Sequence, residues 1–346
     1  MIRILLVDDS VTQREILRRL LIGDGAFDVV AEARNGREAV RMVEEYKPDV
    51  VVMDLHMPDM NGLEATREIM SRCPVPIIIA SATLKKHDID MGLEALRAGA
   101  VSVIQKPAGA VLLHLQKIGP QLRAEIVAAS QAQIRRPPMV RPQRARPAAI
   151  SPAVRSVTVV GICASTGGPP VLMEILGLLP RPYPVPILLV QHISKGFEEG
   201  FATWLSSQTS QPVRLATDGQ RLTPGVWLAP GGSHLGVDSP TRLVLLPGQP
   251  ADIHCPSGNP LFSSLAKRLG AKAAGLLLTG MGDDGARGLR ELKDAGGQTA
   301  IQSEATCMIW GMPQAGRKLD AACYELGPPE LAALLTRMAE GTEKRS

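Results

Sequence analysis

The sequence predicts two α/β bodies, each built on a doubly wound sheet, joined by an extended linker. Three observations predict it. Short apolar runs alternate with helical patterns along residues 1–120. The same alternation resumes after residue 156. Between them, the stretch from Arg135 to Pro147 alternates Pro and Arg and has little to bury. At about 100–200 residues per domain, 346 residues accommodate two.

In the first body, Ile2–Val7, Val29–Ala31, Val50–Met53, Pro76–Ala80 and Val101–Ile104 predict five buried strands. The gaps carry helical spacing, as at Ile16, Leu20 and Leu21, then Ala39, Val40, Met42 and Val43. Five strands each followed by a helix make a parallel, doubly wound sheet. The last helix is expected from near Gly109, with Val111, Leu115, Ile118, Leu122 and Ile126 on one stripe and a kink at Pro120. The first domain is therefore expected over residues 1–120, its last helix extending to about 130. A linker over 131–156 and a second domain over 157–346 follow. In that second domain, Val157–Cys163, Pro186–Gln191 and Ala274–Leu278 read as strands. Pro169 opens a helix through Leu179, and another begins near Ala286. Residues 212–254, with β-type runs at Gly225–Ala229 and Arg242–Leu246, predict a small antiparallel insertion.

Composition excludes several classes. With 45% hydrophobic and 21% charged residues, wholesale disorder and coiled coil are out. Aromatics are 3%, too few for a surface that stacks bases. No apolar run approaches the ~18–20 residues that span a membrane, so no membrane insertion is expected. Met1–Val7 meets Asp8-Asp9 at once, too short an apolar core for a signal peptide, and a cytoplasmic protein is expected. The net charge of +4 is concentrated: residues 1–120 carry −2, residues 121–156 carry +6 and residues 157–346 carry 0. The second body is thus neutral and shows no helix-turn-helix pattern, which argues against nucleic acid as a partner. The basic stretch suits a solvated linker, or a docking strip for an acidic partner. Cys73, Cys163, Cys255, Cys307 and Cys323 are odd in number and lack Cys-x-x-Cys spacing. Reduced, mostly buried thiols are expected, with neither a disulfide framework nor a zinc site.

Reactive groups in open parallel sheets gather beyond the carboxyl ends of the strands. In the first body Asp8 and Asp9 follow the first strand, Asp54 the third, Ser81 the fourth and Lys106 the fifth. Clustered carboxylates repel unless a cation joins them, and Mg²⁺ suits an oxygen-rich site. With Lys106 and Mg²⁺ neutralising charge, one carboxylate can attack a phosphoryl donor. In the second body Ser165, His192 and the pair Asp283-Asp284 occupy the same kind of position. A Ser, a His and an Asp at one sheet edge suit nucleophilic acyl transfer. Spacing alone leaves other roles open. Ser165–Pro169 also suits a helix cap or a phosphate cradle, His192 a polar strand end, and Asp283-Asp284-Gly285 a turn.

Val7-Asp8-Asp9-Ser10, Met53-Asp54-Leu55-His56-Met57-Pro58-Asp59-Met60-Asn61-Gly62, Ser81-Ala82 and Gln105-Lys106-Pro107 resemble the receiver domain of bacterial response regulators. The resemblance implies that Asp54 accepts the phosphoryl group. It implies that Asp8, Asp9 and Asp54 hold Mg²⁺ with the His56 backbone carbonyl, and that Ser81 and Lys106 contact the phosphoryl group. Where such domains commonly carry Tyr or Phe three residues before the Lys, this sequence has Val103.

Ala164-Ser165-Thr166-Gly167-Gly168-Pro169, Gln191-His192, Leu278-Thr279-Gly280-Met281-Gly282, Asp284-Gly285-Ala286 and Gly311-Met312-Pro313 are similar to the chemotaxis methylesterase (CheB-type) family. That resemblance implies a phosphorylation-activated serine hydrolase of γ-glutamyl methyl esters on chemoreceptors, which also deamidates receptor glutamines in chemotaxis adaptation. Chemoreceptors are then the substrate and a chemotaxis histidine kinase the phosphodonor. Ser165 is the implied nucleophile, His192 the general base and acid, and Asp284 the orienting carboxylate. Met281 is the oxyanion donor through its amide, Thr166 lines the site, and no cofactor is expected in this domain. The family usually has Gly two residues before the Ser, where this sequence has Cys163. A non-catalytic response regulator acting by protein–protein interaction is the alternative. A receiver ahead of a hydrolase also predicts that it restrains the Ser165 rim until Asp54 is phosphorylated.

Overall fold

The computed structural model describes residues 1–21, 25–81, 86–106, 112–134 and 154–340. Pro107, Gly109, Val111, Ala82 and the linker's Arg135–Pro147 stretch lie outside the described residues. The chain divides into two compact units, Met1–Arg141 and Pro142–Ser346.

The first unit alternates β1 (Ile2–Val7), α1 (Val11–Leu21), β2 (Phe27–Ala33), α2 (Gly36–Tyr46), β3 (Val50–Asp54), α3 (Gly62–Arg72), β4 (Ile77–Ser81), α4 (Lys86–Arg97), β5 (Ser102–Gln105) and α5 (Leu112–Ser130). Its five strands pair in parallel in the order β2-β1-β3-β4-β5. β3 and β4 are buried along their whole length, as β-branched runs covered by helices on both faces must be. Asn61 caps α3, accepting from the Glu64 amide while the Glu64 side chain accepts from the Asn61 amide. At Gly62 the chain passes so close to the Asp54 carbonyl that no Cβ fits. α5 carries Pro120 within it.

The second unit comprises β6 (Val159–Ala164), α6 (Gly168–Leu178), β7 (Ile187–Gln191), α7 (Glu198–Thr209), β8 (Val213–Leu215), β9 (Val226–Leu228), β10 (Ser233–Ser239), β11 (Arg242–Pro247), α8 (Gly258–Arg268), β12 (Ala273–Leu277), α9 (Ala286–Asp294), β13 (Gln298–Gln302), α10 (Met312–Lys318), β14 (Tyr324–Leu326) and α11 (Pro328–Glu340). Seven of these strands form a parallel sheet in the order β14-β13-β12-β6-β7-β9-β8. From β6 the chain winds to one side through β7, β8 and β9, then returns to the other through β12, β13 and β14. The reversal opens a crevice between the carboxyl ends of β6 and β12, where such sheets place their sites.

One sequence expectation needs correcting. The run at Gly225–Ala229 does not join an antiparallel insertion: β9 within it pairs in parallel with both β7 and β8. Only β10 and β11 form the antiparallel hairpin. Val226, Trp227 and Leu228 are all buried, and a fully apolar run has no alternation to mark which sheet it enters. The cysteines also depart from expectation. None of the five forms a disulfide, but only Cys163 and Cys307 are buried.

Candidate active site and phosphorylation site

Backbone hydrogen bonds bind three strand ends together in the second unit. Leu278 N donates to Cys163 O (2.9 Å), His192 N to Ala164 O (2.9 Å) and Ser165 N to Thr279 O (3.0 Å). Ser165, His192 and the 279–284 loop therefore leave the sheet at one rim. Ser165 sits at the turn from β6 into α6. Gly167 makes that turn with φ 77° and is itself the N-cap of α6, without a side-chain cap bond. Gly168 packs onto Ala164 and the Gln191 side chain with no room for a Cβ. Gln191 Nε2 donates to the Ser165 and His192 carbonyls, both at 2.9 Å. Ser165 is thus not consumed as a helix cap, and its hydroxyl has no hydrogen bond among the described residues.

Asp284 and Asp283 differ sharply. Asp283 is exposed, whereas Asp284 is buried in a basket of donors. It accepts from Ser257 Oγ (2.5 Å), Gly258 N (2.7 Å), Asn259 Nδ2 (3.1 Å) and His192 Nε2 (3.0 Å). Burial pushes its pKa up, but the His192 and Ser257 hydrogen bonds outweigh burial and hold it well below the usual carboxylate range. An ionised Asp284 requires the proton between the two groups to sit on His192 Nε2. In the neutral imidazole Nδ1 is then the atom with the lone pair, and it has no hydrogen-bond partner among the described residues. That nitrogen is the one free to act as a base.

Cys163 lies at the centre of this packing, fully buried against Gly258, with its sulfur 3.8 Å from Asp284 Oδ2. Burial and the nearby carboxylate push its thiol pKa well up, so it is a poor thiolate nucleophile. Thr166 is buried, and its carbonyl accepts from Thr279 Oγ1 (3.1 Å). Thr279 Oγ1 also accepts from Ile309 N (3.0 Å). Gly311 N and Met312 N both donate to Gly280 O, and Gly280 packs on Ser165 Cβ. Through these contacts the 279–282 loop is held beside Ser165, and the Met281 amide donates to no described acceptor.

Sequence reasoning missed Ser257, Asn259 and His254, and it gave Gln191 no role beyond its place beside His192. Ser257 carried a signal, because it is the N-cap residue of α8. The His254 ring stacks on His192 with centroids 4.4 Å apart and planes 5° apart. Nothing local in the sequence relates those two rings.

In the first unit, Lys106 Nζ lies 2.6 Å from Asp8 Oδ2 and 2.8 Å from Asp54 Oδ1, all three side chains being buried. Lys106 N donates to Ser81 O, which seats β5 beside the buried Ser81. Asp9 is exposed, and carboxylate oxygens of Asp8, Asp9 and Asp54 lie within 4.8 Å of one another. Burial raises the Asp54 pKa and Lys106 opposes that rise. Three carboxylates face one ammonium, so an oxygen-only pocket with excess negative charge remains, which fits Mg²⁺. His56 reaches the site through its amide, which hydrogen-bonds the Asp54 carboxylate. Its side chain turns away to Asp88, with Nε2 2.6 Å from Oδ1, a contact the sequence did not suggest. Val103 is buried against Gly92 of α4.

Residues 160–335 match the family model of the CheB methylesterase, and residues 4–116 match that of the response regulator receiver domain. A protein-glutamate methylesterase/protein-glutamine glutaminase of Paramagnetospirillum magneticum is 40% identical over 349 residues, covering 99% of both chains. One from Syntrophus aciditrophicus is 39% identical over 348 residues, covering 98% of this chain and 99% of the relative. The crystal structure of the Thermotoga maritima CheB methylesterase catalytic domain matches with a TM-score of 0.51 and 32% identity. It covers 53% of this chain and 99% of that one.

Proposed function

The chain belongs to the CheB methylesterase family, and on that premise we propose that Ser165, His192 and Asp284 carry its chemistry. It is a protein-glutamate methylesterase and protein-glutamine glutaminase whose receiver domain puts it under phosphorylation control. The observation that carries the site assignment is the buried Asp284–His192 pair. It leaves His192 Nδ1 as a free base at the rim where the Ser165 hydroxyl also stands uncommitted.

Ser165 Oγ attacks the carbonyl carbon of a glutamyl methyl ester while His192 Nδ1 takes its proton. The ionised Asp284 steadies the resulting imidazolium. The Met281 amide faces the oxyanion. As the tetrahedral species collapses, the C–O bond to methoxide breaks, and the imidazolium returns the proton so that methanol leaves. Water, activated by His192, then cleaves the acyl-serine to release glutamate. A glutamine side chain follows the same course with ammonia as the leaving group. In this reading the substrates are chemoreceptors and the phosphodonor is a histidine kinase in the cytoplasm. Asp54 accepts the phosphoryl group, with Ser81 and Lys106 in contact with it. Asp8, Asp9, Asp54 and the His56 carbonyl hold Mg²⁺, which neutralises charge on the phosphoryl oxygens when bound. The domains run over 1–120 and 157–346 about a 131–156 linker.

Release of methanol from methylated receptor by Ser165→Ala and wild-type protein tests the assignment. The variant should be inactive. Retention of more than about a few per cent of the rate would overturn Ser165 as nucleophile, since triad members are each near-essential. A wild-type protein that releases no methanol would instead favour the non-catalytic alternative.

A further inference from the structure

Apart from the catalytic centre, the hydrolase unit carries a second cluster of mixed donors. His234 lies in β10, while Asp252 and Cys255 come from the stretch that follows β11. One imidazole nitrogen, one carboxylate oxygen and the thiol sulfur lie within 4.8 Å of one another. His234 Nε2 is 2.9 Å from Asp252 Oδ2. His234 is only 7% exposed, and its Nδ1 is buried without a hydrogen-bond partner. Asp252 is exposed and Cys255 partly so, which leaves the cluster open to solvent on one side.

The backbone presets these positions. Gln249 N donates to Asp252 Oδ2 (2.6 Å), and Asp252 N donates to Gln249 O (3.0 Å). Gly232 N donates to Cys255 O (3.3 Å). Gly248 lies against Cys255 Sγ with no room for a Cβ.

We propose that His234, Asp252 and Cys255 bind one divalent cation of the zinc class, with water as the fourth ligand. An imidazole, a carboxylate and a thiolate together select Zn²⁺ over the hard, oxygen-seeking Mg²⁺ and Ca²⁺. Bonds of about 2.0–2.3 Å in a tetrahedron put neighbouring donors roughly 3.3–3.8 Å apart. The imidazole–carboxylate pair, 2.9 Å apart, therefore has to open slightly, which the exposed Asp252 allows. On binding, the Cys255 thiol gives its proton to solvent, and His234 keeps one proton, on Nδ1. Cysteine spacing along the sequence does not reveal such a site, for a physical reason. The donors come from two segments that meet only through the hairpin, so no Cys-x-x-Cys spacing arises. The loop that ends in Cys255 also carries His254 and leads into Ser257, Gly258 and Asn259. A bound cation would thus brace one wall of the catalytic crevice.

Cys163, His192 and Asp284 form the other cluster with a thiol, but it belongs to the catalytic centre and Cys163 is fully buried. It supplies the control. Reduced full-length protein is titrated with Co²⁺ in excess Mg²⁺, following the near-ultraviolet thiolate-to-cobalt absorption band, and Zn²⁺ is then added as competitor. About one equivalent should give the band and Zn²⁺ should remove it. Cys255→Ala should abolish the band, Asp252→Asn should weaken binding at least about tenfold, and Cys163→Ala should leave the band in place. Unfolding midpoints without metal check that the variants fold. Alkylation of wild-type Cys255, read by peptide mass, is a measurement that needs no variant, and Zn²⁺ should slow it. No band in wild type, a band surviving Cys255→Ala, a band lost in Cys163→Ala, or unprotected Cys255 would each overturn the site.

Discussion

At Asp284 a single carboxylate is held by four donors from two directions, His192 on one side and the start of α8 on the other. Its neighbour Asp283 is exposed. Asp284→Asn should therefore lower the esterase rate by about 10⁴, the scale at which a wrong imidazole tautomer acts elsewhere. Asp283→Asn should change it by less than about tenfold, measured as kcat on methylated receptor. The opposite ranking would mean that the loop is displaced by one residue. Ser257→Ala removes a buried hydrogen bond to a charge, worth about 1.5–3 kcal/mol. It should cost roughly tenfold or more in kcat while leaving KM nearly unchanged, because Ser257 touches Asp284 and not substrate. Asp284 also sets a pH dependence. Its folded pKa lies below the ordinary 3.8, so its stabilising contribution is complete above that value and fades as pH falls below it. Denaturant unfolding across acidic pH should show wild type losing stability more steeply than Asp284→Asn.

Among the elements, the α3 entrance is the tightest fit in the receiver. The Asn61–Glu64 capping box orders the turn, and Gly62 passes against the Asp54 carbonyl. Gly62→Ala should destabilise the receiver unit by about 1–3 kcal/mol, the usual range for overpacking, and should slow phosphorylation of Asp54. Thermal unfolding and acetyl-phosphate labelling measure both. β5 offers a second lesson. Val103 is buried against α4, where an aromatic side chain is common in such domains. The expectation is that a signal from Asp54 passes this position without an aromatic rotamer change, through backbone and packing around Ser81 and Lys106.

At the scale of the molecule, the chain divides into two compact units. The regulatory expectation is that the unphosphorylated receiver restrains the hydrolase. Deleting residues 1–130 should then raise basal esterase activity, and a small phosphodonor with Mg²⁺ should raise that of the full chain. A truncated protein no faster than the unphosphorylated full chain would leave activation or recruitment as the receiver's role. Lengthening the Pro/Arg stretch by ten Gly/Ser residues should alter the phosphodonor response little, since each doubling of a flexible loop costs only about 0.6 kcal/mol.

The two α/β units, and the strand-end positions of the proposed site residues, are legible in the sequence alone. A parallel sheet buries its strands on both faces, so each strand is a plain apolar run with its reactive group just beyond it. That regularity makes Asp8, Asp54, Lys106, Ser165 and His192 visible as strand-end residues. It also made the family motifs legible. Tertiary structure alone decided the rest. β9 entered the main sheet because a fully buried run carries no mark of its partner. Ser257 and Asn259 reached Asp284, His254 reached His192, and His56 reached Asp88, across separations of 25 to 62 residues. His234, Asp252 and Cys255 likewise converge only when the β10–β11 hairpin closes. Contacts of that kind depend on how elements pack rather than on local pattern, so no window along the chain records them.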